Sequence, residues 1–99
     1  MAKNLFHIET YTMPVGCTAW ITNDHFPHLE DEEQVYGIWE RIVKEFKRDY
    51  PKARMCRNLN RRSAEAAFCD RESSIVSREW MISPKEGKFR ATMYVTKAA

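Results

Sequence analysis

Two histidines three residues apart, His25 and His28, stand beside Asp24 and shortly before the acidic run Glu30, Asp31, Glu32 and Glu33. Imidazoles and carboxylates this close together could share a divalent ion or pass a proton. Two features weigh against that chemistry. Pro27, between the histidines, disfavours the helical turn on which residues three apart would meet one ion. A closed zinc site also needs four ligands at tighter spacing, and Cys17 is the one further candidate. The plainer expectation is a polar loop that caps a helix, with Asp24 or Asp31 accepting from the orphan amides. No metal and no cofactor is expected.

Cys56 lies among Arg54, Arg57, Arg61 and Arg62, an electropositive setting that favours the thiolate a nucleophile needs. A small apolar side chain in a loop accounts for it more simply. The three scattered glycines cannot build a phosphate-cradling loop or a dinucleotide fingerprint. No nucleophile elbow, zinc-protease or kinase signature is present. The chain is read as non-enzymatic.

The strongest chemical signal is charge separation. The net charge is +2, but residues 24–40 carry six acids and no Lys or Arg, whereas residues 41–62 carry nine cations against Glu45 and Asp49. Acids at a helix start and bases at its end complement the macrodipole, which explains part of this pattern. It does not explain the acid-free group Lys52, Arg54, Arg57, Arg61 and Arg62, which follows Pro51. A solvated loop would accommodate that group, but a surface built to meet an anion is the sharper expectation.

The basic side chains require elements to position them. Residues 4–12 alternate Phe6, Ile8, Thr10 and Thr12 against Leu5, His7, Glu9 and Tyr11, a strand period. Met13-Pro14-Val15-Gly16 reads as a turn, residues 17–22 as a second strand, and residues 23–28 as a loop. From about Glu30 to Asp49, the residues Val35, Ile38, Trp39, Ile42 and Phe46 form one apolar helical stripe, stopped by Pro51. Residues 52–62 have no clear period. Residues 63–70 fit helix or strand, with strand preferred. Val76, Trp80 and Ile82, then Phe89, Ala91, Met93 and Val95, alternate with polar residues on either side of Ser83-Pro84-Lys85-Glu86-Gly87, which predicts a second hairpin.

These elements predict one α+β domain over residues 1–99, an antiparallel sheet of four or five strands covered on one face by one long helix. With three cysteines and no CxxC pair, a disulfide framework is not expected. No apolar stretch approaches the length of a membrane span, and the N-terminus lacks an export signal's apolar core, so a cytoplasmic location is expected.

The favoured partner is nucleic acid. Lys44, Lys47, Arg48, Lys52, Arg54, Arg57, Arg61 and Arg62 would contact phosphates, with Asn58, Asn60 and Tyr50 available to bases. The same patch could grip an acidic protein surface. The alternative is a small protein-binding regulator or inhibitor, dimeric or not, acting through a sheet edge, Trp20 and the acidic residues Glu30, Asp31, Glu32 and Glu33.

Overall fold

A computed structural model describes residues 4–61 and 74–97 of the 99-residue chain. The order is β1 (Asn4–Met13), β2 (Ile21–Leu29), α1 (Glu32–Asp49), β3 (Arg54–Asn60), β4 (Val76–Ser83) and β5 (Gly87–Lys97). All neighbouring strands are antiparallel, in the spatial order β2-β1-β5-β4-β3. The helix follows one edge strand and precedes the other, and it packs on one face of the sheet. The α+β expectation holds, with five strands. Residues 63–70 and Arg62 lie outside the described residues.

Alternation decides which side chains meet the helix. Phe6, Ile8 and Thr10 of β1, Ala91, Met93 and Val95 of β5, and Val76 and Trp80 of β4 are buried. The register Phe26–Ile8–Met93–Val76 places one residue from each of four strands in a single row. Val35, Trp39 and Phe46 close this core from the helix, flanked by half-buried Ile38, Ile42 and Val43. The helix begins where Asp31 accepts from the Glu33 amide at 3.0 Å. It ends where the Tyr50 amide donates to the Phe46 carbonyl. Glu32 and Glu33 in its first turn and Lys47 and Arg48 in its last complement its dipole.

Two expected loops are strands. Residues 23–28 belong to β2, and residues 17–20 fall outside it. Residues as strand-averse as Asn23, Asp24 and Pro27 are tolerated because β2 is an edge strand with two irregularities. At the first, the Asn23 amide donates to the Thr12 hydroxyl and the Asp24 backbone amide to Thr10. At the second, Pro27 and His28 together oppose His7, and His28 takes a positive φ of 57°. Residues 54–60, likewise expected to be irregular, form the other edge strand. Its side chains are mostly exposed, so no burial period marks it.

Candidate functional site

The sheet face turned away from α1 carries the polar residues that alternate with the core in β1, β4 and β5. One row runs across it as Arg57–Glu79–Arg90–Tyr11–Thr22, and another as Arg54–Met81–Lys88–Met13. Four cations from β3 and β5 therefore share this face around a single β4 carboxylate, Glu79. Arg90 grips Glu79 through Nε and Nη2, at 3.2 and 2.8 Å. The same guanidinium lies over the Trp20 ring, 4.2 Å from its centroid, a cation–π geometry that fixes both. Trp20 is thus half-buried against the open face and supplies an aromatic body beside the cations.

Burial and Glu79 together act against a reactive Cys56. The register shift between Met55 and Arg57 inserts Cys56 as an extra residue, and its Sγ lies 3.5 Å from both the Glu79 carbonyl oxygen and Oε2. Burial pushes the thiol pKa up, and the Glu79 hydrogen bond and charge push it further, against a smaller opposing effect of Lys88. The electropositive run around Cys56 in sequence does not lower its thiol pKa. Burial also raises the Glu79 carboxyl, but hydrogen bonds from Arg90 and Cys56 and the charges of Arg90 and Lys88 outweigh it and leave the carboxyl below its ordinary value.

The β1–β2–β5 half of this face holds an imidazole and phenol cluster. His7 is buried, its ring parallel to Tyr94 at 4.7 Å and edge-on to His28 at 5.2 Å. Its Nδ1 is 3.4 Å from His25 Nε2, and its Nε2 is 2.9 Å from the Thr96 hydroxyl. Glu9 accepts from the hydroxyls of Tyr94 and Tyr11 and lies 3.6 Å from His25. Burial, then the Glu9 charge and hydrogen bond, raise the Tyr94 phenol. Pairing of His25 with Glu9 and the bulge at Pro27 and His28 bring both imidazoles to His7, a residue whose alternation with Phe6 and Ile8 marked its face but not its partners. Asp24 turns the other way and accepts from the Thr10 hydroxyl on the helix side, so the sequence trio Asp24, His25 and His28 is split by the sheet. Among the described residues, no group of three His, Cys, Asp or Glu side chains has a metal-holding arrangement.

Burial, reinforced by the nearby His28 and His25 and opposed by Glu9, lowers the His7 pKa below the ordinary 6.5. The unfolded chain therefore takes up this proton at higher pH than the folded one. The resulting stabilisation is complete above pH 6.5 and is lost as pH falls from there through the folded value. The urea midpoint should drop between about pH 7.5 and pH 5, and His7→Gln should shrink that drop. An equal drop in the variant would assign it to other groups.

The expected basic row is divided. Arg54 and Arg57 reach the open face, whereas Lys44 and Lys47 flank Trp39, Glu40 and Val43 on the helix layer behind it. Arg48 pairs with Asp49 at 3.3 Å, and Lys52 is exposed in the turn between helix and β3. Asn58 falls in the helix-side row with Arg78 and Ala91. Asn60 accepts from Arg78 Nη2 at 2.7 Å, so its carbonyl oxygen is engaged. The Arg61 amide donates to the Ile75 carbonyl. Tyr50 rests against Phe46 at 5.2 Å. Lys88 and Arg90 were missed by the sequence reading because only strand pairing brings them beside Arg54 and Arg57. No helix among the described residues is long and apolar enough to cross a membrane. The chain matches no protein-family model, no curated protein and no solved structure.

Proposed function

We propose that the protein is a binding module that takes single-stranded nucleic acid on the open face of its sheet. The observation that carries this reading is the meeting of Arg54, Arg57, Lys88 and Arg90, distant in sequence, on one sheet face next to Trp20. Phosphates are held by such cations, and bases stack on aromatic or guanidinium planes, which sheet surfaces present to unpaired strands more readily than to a duplex groove. In this reading Arg90, anchored by Glu79, and the Trp20 ring it lies over form one fixed planar group beside the exposed Arg54 and Arg57.

Titrating fluorescent single-stranded oligonucleotides tests it. Affinity should fall with salt at a logarithmic slope of about −2 to −3, since each neutralised phosphate on a single strand contributes about −0.7. Arg54→Glu with Arg57→Glu should weaken binding by about tenfold or more and flatten that slope by about 1.4. Both side chains are exposed, so thermal unfolding should be little changed. Lys44→Glu with Lys47→Glu, on the helix layer, should leave affinity within about twofold. Affinity indifferent to the β3 pair would remove the proposal and favour a protein partner at the sheet edges.

A further inference from the structure

The geometry points to a second binding site, for a small organic cation with an apolar body, in the cleft between the C-terminal half of α1 and the sheet. The cleft encloses about 430 Å³, within the usual range for small-molecule pockets. Four aromatic residues line it: Phe46 and Phe89, stacked at 4.4 Å with 12° between their planes, and Phe26 and Tyr50, with Ile42 and Ile82 adding apolar wall. Asp24 of β2, Glu45 and Asp49 on successive turns of α1, and Glu86 of the β4–β5 turn line it, against one lining cation, Arg41. Arg48 offsets Asp49 from outside, which still leaves an excess of carboxylates.

The surrounding backbone reinforces that sign. The cleft is bounded by the last helical turn, the negative end of the helix dipole, which Lys47 and Arg48 on that turn offset in part. Aromatic faces attract cations through their quadrupoles. An apolar floor with a negative rim and a negative helix end would bind an ammonium carried on an aromatic or aliphatic body and would repel a carboxylate or phosphate. Charge and shape thus commit the cleft to amines. It lies on the helix side of the sheet, opposite the cationic face, and does not depend on the nucleic-acid reading.

The test is an NMR titration of the intact chain with three probes of one shape: phenethylammonium, 2-phenylethanol and phenylacetate. The ammonium should bind in roughly the millimolar range expected of so small a ligand, with amide shifts centred on Phe46, Tyr50 and Phe89. The alcohol should bind about tenfold more weakly, and the anion weaker still, from near-surface charge alone. The variant Asp24→Asn, Glu45→Gln, Glu86→Gln changes three exposed residues and should erase the preference for the ammonium over the alcohol while leaving weak apolar binding. Equal binding of all three probes, shifts centred elsewhere, no binding at all, or an ammonium preference that survives the triple variant would each overturn the inference.

Discussion

Trp80→Ala should cost about 3–5 kcal/mol of folding stability, the range for removing a buried tryptophan or phenylalanine side chain. Trp80 is 3% exposed, and its ring meets Phe46 of the helix at 4.9 Å and Phe89 of β5 at 5.9 Å. It therefore joins three elements, and truncation leaves a cavity that no single side chain can refill. A domain of this size is stable by only about 5–15 kcal/mol, so the loss should lower Tm by roughly 12 °C or more. Trp80→Phe, which keeps the stack and removes less volume, should cost less than half as much. Comparing urea midpoints of the two variants at a common pH checks this. A Tm within about 2 °C of wild type for Trp80→Ala would mean that the helix is not fastened to the sheet here.

The parts of this architecture legible in sequence are those where burial writes a period. Val35, Trp39 and Phe46 recur at helical spacing because one stripe of α1 faces the sheet, and Phe89, Ala91, Met93 and Val95 alternate because β5 lies in mid-sheet beneath it. Edge strands leave no such record. β3 is mostly exposed, and β2 contains Asn23, Asp24 and Pro27, whose local preferences are for turns. Their strand geometry comes from pairing with β4 and β1, a long-range interaction that local propensity does not encode. The candidate site was obscured for the same reason. Arg54 and Arg57 stood out as charge, but their convergence with Lys88 and Arg90, and their separation from Lys44 and Lys47, are consequences of register. His7 shows the same limit, since its face was readable and the β2 register and bulge that deliver His25 and His28 to it were not.

Gly87→Ala should be the most damaging of the three Gly→Ala substitutions. Gly87 opens β5 at φ +96°, and a Cβ there would fall on the Met13 carbonyl oxygen, with the Met13 and Pro14 carbonyl carbons 3.1 Å away. Left-handed backbone at a non-glycine residue costs about 1–3 kcal/mol, and the overlap adds to this because its partners are backbone atoms at the end of β1, which cannot rotate aside. A total of about 3 kcal/mol or more is expected. Gly16 separates the two contributions: its φ is +85°, yet a Cβ there meets nothing within 4 Å, so Gly16→Ala should cost only about 1–2 kcal/mol. Chemical denaturation of both variants tests the difference, and equal losses would show that backbone conformation alone makes Gly87 indispensable. The clash also reaches the cationic face, because Met13 pairs with Lys88, the residue after Gly87, and Lys88 pairs with Met81 beside Arg54. Relief of the overlap by parting β1 from the β4–β5 turn would displace Lys88 from the other cations, so under the proposed nucleic-acid reading Gly87→Ala should weaken oligonucleotide binding even at temperatures where the variant remains folded.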